Sequence, residues 1–222
     1  MTERGGKRRI RLAILFVALT IQAMNSIALI LSSVARLYPE AGPTKIQLIF
    51  TLLTVVSVAG VLLSGKLASV MTKKTIILVS SVLLLVGAFV GLFLTSSMGM
   101  IYLTSVIIGL GNGMLRPLPS ALVTEHFSGD ERTSMIGIQS VFTNIGGTLF
   151  NLIGGLLASI YWKKIYLLFL VFLPVAVVAQ VCLPRGSAEK TDSGDKPSLS
   201  PFSYGIGILA LLFGLCWIFL LN

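Results

Sequence analysis

Apolar residues gather into seven long runs separated by polar segments: Leu12–Ser33, Ile46–Leu67, Thr75–Thr95, Met100–Val123, Met135–Ile160, Ile165–Cys182 and Tyr204–Leu221. A helix needs roughly 20 apolar residues to cross a hydrocarbon core about 30 Å thick, and the runs lie close to that length. Inside lipid no water satisfies a bare N–H or C=O, so the runs are predicted to be helices, not strands. The pattern therefore predicts an all-α integral membrane protein.

The polar segments divide the runs unevenly. Short loops join the first six, which makes neighbouring helices antiparallel and packs residues 1–183 as one six-helix bundle. Residues 184–203 are rich in Pro, Gly, Ser and charge, lack apolar periodicity, and read as a flexible linker. Residues 204–222 supply a seventh membrane helix. Six helices, a linker and one more is the plan of a transporter half followed by the start of a second, truncated half. A retinal-binding seven-helix protein would need a lysine in the last run, and Tyr204–Leu221 has none.

Composition agrees: 55% of residues are hydrophobic and 11% charged, outside the range of soluble domains. The net charge of +9 would suit nucleic acid, but its placement follows the membrane instead. Arg4, Lys7, Arg8, Arg9, Arg11, Lys66, Lys73, Lys74, Arg132, Arg185, Lys190 and Lys196 fall on the side of the N-terminus, against Arg36, Lys45, Lys163 and Lys164 on the other. That bias predicts a cytoplasmic N-terminus. A bacterial plasma membrane is the expected location, the lipid bilayer is the expected partner and nucleic acid is not. The first run is too long for a signal-peptide core. Cys182 and Cys216 lack metal-ligand spacing and read as packing residues.

Candidate chemistry lies where polar residues interrupt the runs. Ser105, Gly109, Asn112, Arg116 and Ser120 recur at steps of three and four, and so share one helix face. Gln22, Asn25 and Ser26 do the same in the first run. A charge at mid-span costs about 2.5–3.5 kcal/mol, so Arg116 is expected to meet water, a partner or a substrate; the competing reading is that it snorkels past Pro117 and Pro119. All eight acidic residues lie in tails, loops or helix ends, so an intramembrane proton-coupling carboxylate is expected elsewhere than in these helices. There is no H-E-x-x-H, carboxylate pair or phosphate loop, so the sequence does not read as an enzyme and implies no cofactor or metal.

Three local patterns resemble the major facilitator superfamily. In the loop after the second run, Gly65, Leu67, Ala68, Lys73 and Lys74 fit the family's G-x-L-[AGS]-D-R-x-G-R-[RK], while Ser69, Val70 and Thr72 replace its Asp, Arg and second Gly. Ile108–Pro117 and Thr124–Arg132 look like the family's fourth span and the loop behind it, with Glu125 and Arg132 on its charged positions. Gly137, Gly146, Gly154 and Gly155 fall on four positions of the fifth-span pattern of drug–proton antiporters, where Phe150 and Asn151 replace the central Gly-Pro. Trp162–Tyr166 is similar to the start of the family's sixth span.

The resemblance covers residues 12–183 and implies a six-helix N-terminal transporter bundle. It implies a small-molecule substrate in a cavity lined by Gln22, Asn25, Asn112 and Arg116. It also implies a gate at the cytoplasmic end from Gly65, Lys73, Lys74, Glu125 and Arg132, and helix packing by the four fifth-span glycines. The implied activity is secondary transport by alternating access. The glycine pattern leans towards efflux of drug-like molecules, whereas Arg116 would suit an anion. The alternative is a partner subunit, or truncated product, that does not transport alone.

Overall fold

The computed structural model describes residues 2–183, and the side chains from Lys7 onward. The linker 184–203 and seventh run predicted above, with Arg185, Lys190, Lys196 and Cys216, lie outside the described residues. Among the described residues six helices are long and apolar enough to cross a membrane, numbered first to sixth in chain order: Lys7–Leu37, Pro39–Ala68, Lys73–Leu94, Met98–His126, Gly129–Ile160 and Trp162–Cys182. No strand occurs among the described residues.

Each helix outruns its apolar core, and polar caps hold two of the extended starts. Thr72 accepts from the Thr75 amide at 3.3 Å, and Ser97 accepts from the Met100 amide at 3.4 Å. Both satisfy N–H groups that a helix start leaves without partners. Gly129, with φ at +56°, makes the tight turn from the fourth helix into the fifth, a backbone state that costs glycine little.

Three helices change pitch along their length. Ile21–Ile30 in the first and Trp162–Val171 in the sixth wind as 3₁₀-helix, and Val90–Leu94 of the third is a π turn. In the π turn, Gly91 leaves room for the Tyr166 ring; a Cβ there would stand 2.6 Å from the ring's Cγ. The core runs along the first, third and sixth helices, where Ile14, Ile27, Ile76, Leu84, Phe169 and Phe172 are fully buried.

The fourth helix is held on two sides by close backbone approach. A Cβ on Gly109 would lie 2.5 Å from the Leu53 carbonyl oxygen, and one on Gly60 would lie 2.6 Å from that of Leu110. Gly113 meets the Ser57 carbonyl oxygen more closely still, and Gly111 faces Leu84 of the third helix. Small residues permit this contact, the main source of helix association where burial from water is not available. The second and fifth helices are the least covered of the six, and the first and fourth the most.

Candidate functional site

The polar stripe on the first helix sits on its 3₁₀ stretch, where residues three apart stack over one another. The Asn25 Nδ2 accordingly donates to the Gln22 Oε1 at 3.2 Å. Both side chains are half-exposed. Asn112 reaches them differently. It is 1% exposed, and its Nδ2 donates to the Ile21 carbonyl oxygen at 2.9 Å. That bond pins the fourth helix to the first where the 3₁₀ stretch begins. Asn112 therefore sits in the wall behind Gln22 and Asn25, not on its open face.

Arg116, one turn further along, is exposed, and its side chain has no ion pair or hydrogen bond among the described residues. It lies ten residues before the helix end at His126, about 15 Å of helix rise. Ser120, the next residue of the stripe, takes a hydrogen bond from the Gln139 Nε2 on the fifth helix at 3.0 Å. The Gln139 Oε1 is buried and has no hydrogen-bond partner among the described residues.

The fifth helix adds a polar face that its glycine spacing does not announce. Thr133, Gly137, Ser140, Asn144, Thr148, Asn151, Gly155 and Ser159 recur at steps of three and four, and all but the half-buried Gly155 are exposed. The hydroxyls fold back on their own helix, as Ser140 does to the Ile136 carbonyl at 3.0 Å and Thr148 to that of Asn144 at 3.2 Å. Asn151 alone reaches across, accepting from the Ser26 hydroxyl at 3.4 Å. The signal that reveals this face is periodicity: the polar stripe has the same repeat as the glycines and is hidden among them.

The four glycines expected to pack divide accordingly. Gly146 meets the Leu19 carbonyl oxygen of the first helix, and a Cβ on Gly154 would stand 3.0 Å from the Ser26 Cβ. Gly147, absent from the motif, faces the Gln22 side chain. A Cβ on Gly137 or Gly155 would meet nothing within 4 Å, and the same holds for Gly65.

At the basic end the expected gate residues separate into three groups. The Lys73 Nζ pairs with the Glu125 Oε2 at 3.0 Å, joining the third helix to the fourth, and the His126 Nδ1 stands 3.9 Å from the same oxygen. Lys74 instead donates to the carbonyl oxygens of Gln180 and Leu183 at 2.7 and 3.1 Å, capping the sixth helix. That contact suits a cation, since a helix C-terminus carries partial negative charge. Arg132 is exposed and takes no part in either contact. The acid beside it is the one engaged: Glu131 pairs with Arg11 and with Lys7, and the Arg11 guanidinium lies 5.4 Å from the Phe127 ring centre. The basic start of the first helix is thus tied to the start of the fifth, a pairing across 120 residues that no local pattern announces.

This arrangement sets polar side chains along helices that are otherwise apolar. The model of the Major Facilitator Superfamily matches residues 12–222. The chain belongs to the major facilitator superfamily. Two relatives within it are similar to this chain. One is the multidrug transporter protein MdtP of Bacillus subtilis (strain 168), 23% identical over 69% of this chain and 28% of its own length. The other is the TsgA homolog of Enterobacter sp. (strain 638), 25% identical over 76% of this chain and 43% of its own length. The chain thus spans less than half the length of the relatives it matches. The superfamily is one of membrane transporters, and the six described helices have the length and apolarity that crossing a lipid bilayer requires.

Proposed function

We propose that this chain forms the N-terminal half of a secondary transporter that exports small organic molecules by alternating access. In this reading Gln22, Asn25 and Arg116 line the substrate path. Asn112 holds the first helix in place behind them, and a second helical half covers the open side. One observation carries the reading: the polar face of the fifth helix is uncovered at membrane depth. Asn144 and Asn151 each make one hydrogen bond, to the Ser140 carbonyl at 2.9 Å and from the Ser26 hydroxyl at 3.4 Å. The rest of each exposed amide would lie against lipid, where a polar group without a partner costs several kcal/mol. A protein partner that encloses water beside this stripe removes that cost.

In this reading Arg116, which has no counter-ion among the described residues, gives the path a positive centre and favours substrates with an anionic group. The multidrug name of the MdtP relative and the fifth-helix glycines support export. Lys73, Glu125 and Lys74 close the basic end in this reading, and the positive-charge bias supports a cytoplasmic location for it. Gly65 and Arg132 lie beside that closure and are proposed to engage when the second half is present.

The test is transport by the complete protein in vesicles, across a panel of anionic and neutral organic compounds. Arg116→Ala should abolish most anion transport and spare protein level in the membrane. Unchanged anion transport rejects Arg116 as a substrate contact. For the topology, cysteine replaces Ser128 or Lys163 in a background with Cys182 and Cys216 changed to serine. A reagent that does not cross membranes should label whole cells at position 163 and not at 128, and the reverse pattern rejects the orientation.

A further inference from the structure

A cavity of about 340 Å³ opens at the basic end, between the start of the third helix and the close of the sixth. It lies apart from the substrate path proposed above. Thr72, Lys74, Thr75, Leu78 and Gln180 line it. Its volume falls within the range of about 300–1,000 Å³ typical of small-ligand sites.

The electrostatics of this cavity are one-sided. An ammonium has three N–H donors, and Lys74 gives two of them to the carbonyls of Gln180 and Leu183. Those carbonyls are neutral, and no carboxylate among the described residues pairs with Lys74. Glu125, the acid of this end of the third and fourth helices, is engaged by Lys73. The start of the third helix adds partial positive charge of its own, and its first turn holds no acid. Thr72 and Thr75 share one hydrogen bond at 2.9 Å, which leaves one of their two hydroxyl hydrogens to donate. Among the described residues the cavity therefore offers an ammonium N–H and a hydroxyl, and holds no negative group.

Its surroundings select the kind of anion. Leu78 gives the cavity an apolar side. Deeper along the same two closely packed helices, Val79, Val82 and Val86 of the third and Leu173, Val177 and Val181 of the sixth are exposed. A polar, cationic notch at the head of an apolar wall matches a molecule with an anionic head and long hydrocarbon tails. We propose that this cavity binds the phosphate of an anionic phospholipid such as phosphatidylglycerol, with the acyl chains lying against the third and sixth helices. A free phosphate would satisfy the notch and leave the wall unused.

The experiment uses the 222-residue chain purified in neutral detergent, with native mass spectrometry and thermal unfolding after adding phosphatidylglycerol, phosphatidylcholine or inorganic phosphate. Phosphatidylglycerol should be retained in preference to phosphatidylcholine and should raise Tm. Lys74→Gln should weaken that preference about fivefold, the factor given by about 1 kcal/mol per lysine near an anionic membrane surface, and Lys74→Arg should keep it. Because Lys74 also caps the sixth helix, Leu78→Trp provides a variant that fills the cavity and spares the cap; it should lose the preference too. Equal retention of the two lipids overturns the proposal, as does a preference that survives both Lys74→Gln and Leu78→Trp. A matching rise in Tm from inorganic phosphate alone overturns the assignment to lipid.

Discussion

The fourth and fifth helices are both rich in glycine and put it to different use. On the fourth, Gly109, Gly111 and Gly113 each lie against a neighbouring helix within the six-helix unit. On the fifth, Gly146 and Gly154 do so, while Gly137 and Gly155 face open space. The fourth is an interior helix and the fifth an edge, with one side against the first helix and another uncovered. Glycine at a given spacing therefore states that something comes close; which partner comes close depends on where the helix sits.

The largest expected effect strikes the closed side. Gly113→Val drives a methyl into the Ser57 backbone carbonyl, which cannot move without its helix, so the loss should reach or exceed the about 1–3 kcal/mol of ordinary overpacking. Thermal unfolding in detergent reads it as a large fall in Tm or loss of a monodisperse protein. A fall no larger than that of Gly155→Val would erase the contrast.

Next comes the polar contact behind the path. Asn112→Leu removes the bond to the Ile21 carbonyl; interhelical hydrogen bonds in membranes average about 0.6 kcal/mol and reach about 1.7. The expected outcome is a modest fall in Tm, with the first helix less protected from hydrogen exchange around Ile21. Equal protection in the variant would show that the 3₁₀ stretch holds without Asn112.

Glu125→Gln breaks the Lys73 pair at the basic end. Exposed pairs contribute about 0–1 kcal/mol and are screened by salt. The small loss of stability should be visible at low ionic strength and vanish at high. A loss that persists in high salt would mean that the contact acts through packing.

The smallest effect belongs to the open side. Gly155→Ala should change the stability of the six-helix unit by no more than about 0.5 kcal/mol, the range of substitutions away from packed features. The sharper version is Gly155→Leu, which should leave the Tm of this chain nearly unchanged and reduce transport by the complete protein, because only a second half would occupy that side. Equal transport would place the second half elsewhere.

Much of the architecture is legible in the sequence because membranes impose it locally. Hydrocarbon forbids bare backbone groups, so apolar length alone fixes six helices and their order, with ends displaced by a few residues where caps such as Thr72 and Ser97 extend them. The motif resemblance groups Lys73, Glu125 and Arg132 at one end, and the hairpin of the third and fourth helices brings the first two into contact while Arg132 stays apart. The separation of Lys74 from that cluster is not legible, because it depends on how the sixth helix ends against the third.

Sequence alone dictates a helical membrane protein with polar residues along the first and fourth helices. Those conclusions need only composition, period and spacing along one helix. Tertiary structure decided which of those residues face open space. Asn112 and Arg116 share a stripe and are one turn apart, yet one is buried against the Ile21 carbonyl and the other is exposed. A helical repeat specifies direction around its own axis. Whether that direction meets a backbone carbonyl, water or a second half is set by neighbours distant in sequence.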